Sequence, residues 1–210
     1  MRRKLILSVM LSILLLMVLT IFWQQEIKYL KPTPVPHNYK AVPVQETIDL
    51  QEVVGGEPKK PVLLHFFNPD CPCSRFNTSH FVSLVKEYEN EASFYVVLQY
   101  SQDKVAAEKI MAPYGVKLPV LLDENEVLAQ KCGVYSSTQA VIIDRNQRLF
   151  YRGNYNRSRY CTDKQTSYAR LALEALRAGA SPPNLSALAT TAYGCELRDN
   201  TPSNLNFLTF

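Results

Sequence analysis

Cys71-Pro72-Cys73-Ser74 is the stretch of this sequence whose residue types and spacing are best suited to chemistry. Two thiols this close can serve as attacking and resolving partners in disulfide exchange, or they can grip a soft metal ion. Exchange needs a thiolate, and a thiolate is favoured at a helix N-terminus, where backbone N–H groups and the helix dipole favour negative charge. Asp70 opposes this if its carboxylate points at the sulfur. A metal site would draw on Cys71, Cys73 and His80 as ligands for copper or zinc. The sequence offers no convincing fourth ligand, and His80 stands two turns into the expected helix, aimed elsewhere. Redox chemistry is therefore the favoured reading; a surface disulfide or a degenerate site is the plain alternative.

The flanking pattern places the cysteines where such chemistry works. Val62 to Phe67 reads as a buried strand ended by Asn68-Pro69-Asp70, and Phe81, Leu84, Val85 and Tyr88 recur at helical spacing, predicting a helix from Ser74 to Tyr88. Phe94–Leu98 predicts a second strand and Asp103–Ala112 a second helix. A short strand, Pro119–Asp123, is followed by a short helix ending near Gly133-Val134. Ala140–Ile143 and Leu149–Tyr151 flank a polar turn, Asp144–Gln147, as in a hairpin. Thr162-Asp163-Lys164-Gln165 has the form of a capping box opening a helix that Gly179 and Pro182-Pro183 stop. This order calls for an α/β fold: a central sheet covered by helices on both faces.

The domain is expected over residues 46–180, with a tail, 181–210, carrying Cys195. Ahead of it, residues 1–4 are a basic cytoplasmic N-terminus and Leu5–Trp23 is an uncharged apolar run long enough to span a hydrocarbon core of about 30 Å. The run ends without an A-x-A-like cleavage site, so it is read as an uncleaved anchor. Arg2-Arg3-Lys4 keeps the N-terminus in the cytoplasm. The globular part then faces the periplasm from a bacterial inner membrane. Residues 24–45, with Pro32, Pro34, Pro36 and Pro43, are read as an extended spacer.

The formal charge of +4 is concentrated before the domain: residues 1–31 hold five basic residues and one acidic residue. Totals of 23 and 19, less these 5 and 1, leave eighteen of each sign in the remainder. A nucleic-acid interface needs a basic folded surface, and this one is neutral. Five cysteines suit an oxidising compartment, and an odd count leaves at least one thiol outside internal pairs. Cys132 reads as a small buried residue. Cys161 and Cys195 are expected to form a clamp on the tail, with either as an alternative resolving thiol for Cys71 or Cys73. His37 and His65 are read as structural.

Phe66-Phe67-Asn68-Pro69-Asp70-Cys71-Pro72-Cys73-Ser74 resembles the active-site segment of the thioredoxin-like superfamily, in which a Phe-rich strand runs into C-x-x-C at the head of a helix. Pro119–Asp123, Cys132-Gly133-Val134, Ala140–Asp144 and Tyr151-Arg152-Gly153 resemble its redoxin and peroxiredoxin-like branch, and Tyr193-Gly194-Cys195 is similar to a Gly-Cys tail in some members. The resemblance implies a thioredoxin-like fold. It makes Cys71 the nucleophile, puts Ser74 at the second cysteine's position and Cys73 between them, and puts Thr138 where thioredoxins place the proline lining the substrate groove. A Cys71–Cys73 disulfide would close a very small, easily reduced ring; otherwise Cys71 works alone or with a distant partner. The peroxiredoxin pattern upstream of the cysteine is absent; Arg152 is a candidate for orienting an anion or peroxide, against the commoner reading of an exposed arginine at a strand end. The expected function is membrane-tethered thiol–disulfide exchange with protein disulfides or thiols, needing no cofactor, through Cys71, Cys73, Ser74 and Thr138. A copper metallochaperone, a peroxidase and a non-catalytic module docking a partner near Thr138 are the alternatives.

Overall fold

The computed structural model describes residues 2–68, 71–99, 112–115, 117–158 and 160–197. The chain divides into two units, residues 1–32 and 33–210. The first is a single helix, α1 (Arg2–Leu30), whose stretch Arg2–Gln24 is long and apolar enough to cross a membrane. It runs seven residues beyond Trp23, into the stretch expected to be spacer. Gln24–Leu30 contains no Gly or Pro to stop it; the first breaker is Pro32, which disfavours helical geometry at the residue before it.

The second unit is built on β1 (Val62–Phe67), β2 (Ser93–Leu98), β3 (Val120–Leu122), β4 (Gln139–Ile143) and β5 (Leu149–Asn154), in the spatial order β3-β2-β1-β4-β5. The first three are parallel, while β4 runs antiparallel to both β1 and β5. Helices are α2 (Gln51–Val54), α3 (Pro72–Tyr88), α4 (Val127–Cys132), α5 (Tyr168–Arg177) and α6 (Ala187–Thr190). Every residue of β1 and β4 is buried, as expected of strands covered on both faces. Alternation divides them between two cores. Leu63, Phe67, Ala140 and Ile142 pack with Phe81 and Leu84 of α3 and Ala172 of α5, while Val62, Leu64, Phe66 and Val141 pack with Ile48, Leu50 and the Leu128 and Cys132 of α4. This is a thioredoxin-like α/β fold, as the resemblance implies.

Several local expectations are corrected. The Thr162–Gln165 segment forms a turn, with the Gln165 N–H donating to Asp163 Oδ1, and α5 begins only at Tyr168. The expected spacer is strapped onto the domain rather than standing clear of it. Gln45 and Ile48 donate backbone N–H groups to Leu149 and Gln147, the Tyr39 hydroxyl donates to the Gly133 carbonyl, and Arg152 clamps the carbonyls of Val42 and Cys132. Prolines keep this strap extended, and its carbonyls and amides find partners along β5 and the end of α4. The expected tail is equally built in. Asn154 Nδ2 donates to the carbonyls of Leu188 and Thr191. Gly153 leaves the space through which the Ala189 carbonyl passes, space that a Cβ would fill. The expected helix over 103–112 lies outside the described residues, apart from Ala112.

Phe81 is fully buried and stacks on His65 at 4.2 Å, with Phe94 and Tyr155 edge-on at 6.2 and 6.3 Å. Phe81→Ala should therefore cost about 3–5 kcal/mol, read as a lower urea midpoint of the oxidised chain in detergent micelles. A loss below about 1 kcal/mol would show that this aromatic cluster does not organise the core.

Candidate redox site

The strand-to-helix junction is fixed from both sides. Pro72 occupies the first turn of α3, where its missing N–H costs nothing, and Cys71 is the N-cap in extended conformation. The Cys71 N–H donates to the Asn68 carbonyl at 3.0 Å, and the Cys71 carbonyl accepts from the Ser74 N–H at 3.0 Å. Ser74 is fully buried, and its Oγ accepts the Asn68 N–H at 3.1 Å. Its hydroxyl thus closes the loop between β1 and α3 rather than facing the sulfur. Asp70 and Pro69, weighed above for their effect on the thiol, lie outside the described residues.

Cys71 is bonded to Cys195, with Cα atoms 6.0 Å apart and 124 residues between them in sequence. This corrects the expected Cys161–Cys195 clamp, and it realises the alternative in which a distant cysteine pairs with Cys71. Cys73, buried on α3, is outside the disulfide. Cys73 is buried in the first turn of α3, whereas Cys71, at the extended N-cap, meets Cys195. Cys71 is completely buried, and Cys195 is partly exposed.

Residues 193–197 lie along the loop that precedes β4. Ser136 and Glu196 form an antiparallel bridge, the Ser137 N–H donates to the Cys195 carbonyl at 2.8 Å, and the Leu197 N–H donates to the Tyr135 carbonyl at 3.3 Å. The hydroxyls of Ser136 and Ser137 both donate to the Cys195 carbonyl, each at 3.2 Å. Thr138 joins this loop to the sheet: its N–H donates to the Phe66 carbonyl at 2.9 Å, and it holds φ at +67°. For a β-branched residue that is a rare, strained conformation of a kind found at functional sites. Thr33, from the strap, closes the other side of the tail. Its N–H donates to the Ala192 carbonyl, and its Oγ1 lies 3.2 Å from the Gly194 carbonyl and 2.9 Å from Ser136 Oγ.

Thus Cys71 and Thr138 both meet the docked tail, Cys71 through the disulfide and Thr138 beside Gly194, while Cys73 and Ser74 sit in the first turn of α3. Cys195, Ser136, Ser137, Gly194 and Thr33 complete the site. Only Gly194 and Cys195 carried a signal, in the Gly-Cys pair; the others are ordinary small polar residues gathered by long-range pairing.

His80 Nε2 lies 3.1 Å from Ser167 Oγ, and burial lowers its pKa. Arg152 is spent on two backbone carbonyls. Among the described residues no three His, Cys, Asp or Glu side chains gather as a metal site. Burial pushes the thiols of Cys132 and Cys161 up to about 12, and Cys161 donates to Asn77 Oδ1. His65, read from the sequence as structural, faces the Tyr155 hydroxyl at 2.8 Å, and complete burial lowers its pKa to about 3.

The family described as "Domain of unknown function (DUF6436)" matches residues 41–196. No curated protein matches the chain. Among solved structures, an uncharacterized conserved protein from Geobacillus kaustophilus aligns with TM-score 0.64 at 20% identity, over 80% of this chain and 99% of that one. A hypothetical protein from Sinorhizobium meliloti 1021 aligns with TM-score 0.60 at 17% identity, over 76% and 96%. Both likenesses are of fold.

Two outcomes follow from these shifts. At pH 8, Cys132 and Cys161 of the reduced, folded chain should alkylate about a thousandfold more slowly than a thiol of pKa 9; ordinary rates by mass spectrometry would refute their burial as thiols. For His65 the folded pKa lies below the ordinary 6.5, so between pH 6.5 and about 3 the unfolded chain takes up a proton that the folded chain refuses. Stability is full above that window and falls through it by up to about 1.4 kcal/mol per pH unit. The urea midpoint should drop between pH 7 and 4.5, and less steeply in His65→Gln; equal slopes would acquit His65.

Proposed function

The chain belongs to the DUF6436 family, and we propose that it is a thiol–disulfide oxidoreductase in which Cys71 and Cys195 pass between dithiol and disulfide. The observation that carries this reading is the bond between a cysteine at the head of a helix and a cysteine on the docked tail. The first lies where the backbone of α3 favours a thiolate, and the second is held by hydrogen bonds that a modest rearrangement can break.

In the reduced protein the Cys71 thiolate attacks one sulfur of a partner disulfide, forming a mixed disulfide and expelling the partner's other sulfur as a thiolate. The Cys195 thiolate then attacks Cys71 Sγ, closing the Cys71–Cys195 bond and releasing the first partner sulfur. Two electrons leave the protein and reduce the partner. An external dithiol resets the pair by attack on the more exposed sulfur, Cys195, with Cys71 leaving as the thiolate that its helix favours. Cys73 and Ser74 serve as positioning residues under Cys71, and Thr138 holds the loop against which the tail lies.

We place the protein in a bacterial inner membrane, spanning it once through α1, with residues 33–210 in the periplasm. The basic Arg2-Arg3-Lys4 at the start of the apolar helix supports that orientation. So does a long-range disulfide, which persists in oxidising compartments.

The test is titration of the reduced full chain in detergent micelles with a chromogenic aromatic disulfide. Wild type should release two aromatic thiols per chain and end as the Cys71–Cys195 disulfide. Cys195→Ser should release one and remain as a mixed disulfide at Cys71, while Cys71→Ser should react at least a hundredfold more slowly. A Cys71→Ser variant as fast as wild type would sink the proposal.

A further inference from the structure

We infer that the Tyr135–Thr138 loop, on which segment 193–197 lies as an added strand, selects a partner cysteine preceded by glycine, with the protein's own segment as the resident competitor. This rests on the exchange reading above and specifies the partner's chemistry.

The tail meets the loop as an incoming strand meets a sheet edge. The antiparallel bridge at Ser136 and Glu196, with the Ser137–Cys195 and Tyr135–Leu197 hydrogen bonds, uses main-chain atoms alone. Main-chain pairing gives affinity without regard to side chains, so any extended peptide can make it. The two serine hydroxyls on the Cys195 carbonyl likewise recognise backbone. They fix the register, and with it the position of the cysteine sulfur opposite Cys71.

Side-chain selection arises at one place. A Cβ on Gly194 would stand 2.5 Å from the Ser137 carbonyl oxygen, 3.0 Å from Ser136 Oγ and 3.3 Å from Thr138 Oγ1. The first of these is backbone, held by the same loop that makes the pairing. The residue before the cysteine must therefore pass flat against the loop, and a larger side chain there lifts the strand off its hydrogen bonds.

Occupancy is mutually exclusive. A partner strand enters only when the tail has left, and the tail's return restores its pairing with the loop while Cys195 resolves the mixed disulfide. Tail and partner compete for the same donors, so resolution and product release are one movement. The chemistry is unchanged: the Cys71 thiolate displaces the peptide's leaving thiolate, and the Cys195 thiolate then displaces the peptide.

The test uses the full-length Cys195→Ser chain, reduced, in detergent micelles. Two peptides, Tyr-Gly-Cys-Glu-Leu and Tyr-Val-Cys-Glu-Leu, are each activated as the mixed disulfide with thionitrobenzoate, whose coloured release reports attack by Cys71. The Cys71→Ser, Cys195→Ser double variant sets the background. The glycine peptide should react at least tenfold faster than the valine peptide. Equal rates overturn the inference, as does failure of both peptides while the aromatic disulfide still reacts; either leaves the exchange reading standing. Loss of reaction with the aromatic disulfide as well overturns the exchange reading itself.

Discussion

The sulfur of Cys71 reaches that of Cys195 only because the tail lies flat across the loop before β4, and much of the domain's unusual local structure serves that passage. Cys71 must be extended to aim out of the sheet's end, so the helix starts one residue later, at a proline that needs no N–H partner. Ser74 spends its hydroxyl closing the preceding turn. Thr138 accepts a left-handed backbone to carry the loop under the tail. Gly153 and Gly194 are bare at the two points where the C-terminal segment presses on backbone. Each of these features is costly or neutral by itself, and each follows from the requirement that one distant segment be brought to one sulfur.

The strap from the N-terminal side shows the same economy. Thr33 is buried although it is a hydroxyl residue in a stretch of prolines, because its polar atoms face Ser136, Gly194 and Ala192. A buried hydroxyl without partners would be expensive, and here it has several. Strap, loop and tail are thus three extended pieces that satisfy one another's backbone groups outside the regular sheet. The two cores formed by α3 with α5 and by α2 with α4 supply the rigid frame beneath them.

The frame was the legible part. Runs such as Val62–Phe67 and Ala140–Ile143, and the helical spacing of Phe81, Leu84 and Tyr88, reflect burial, which period and hydrophobicity record directly. The position of Cys71 was legible for the same reason: it falls where a buried strand stops and a helical pattern starts. Its partner was not. Cys161 and Cys195 are equally available in sequence, and the choice between them is made by backbone pairing of 193–197 with 135–138, which leaves no periodic trace. The strap was misread because prolines announce extended chain without saying whether anything lies alongside it. The capping-box pattern at Thr162 was satisfied as an Asx turn, a competing local use of the same side chains.

The disulfide joins residues separated by 124 positions. Closing so large a loop removes from the unfolded chain freedom worth about 4–5 kcal/mol, on the chain-entropy account. The contribution is reciprocal: what the bond gives to the fold, the fold gives back to the bond, as a high local concentration of one thiol beside the other. The oxidised and reduced proteins are therefore two proteins of different durability. A chain without the bond opens more often and meets proteases more often, so the state of the pair also sets how long each molecule survives.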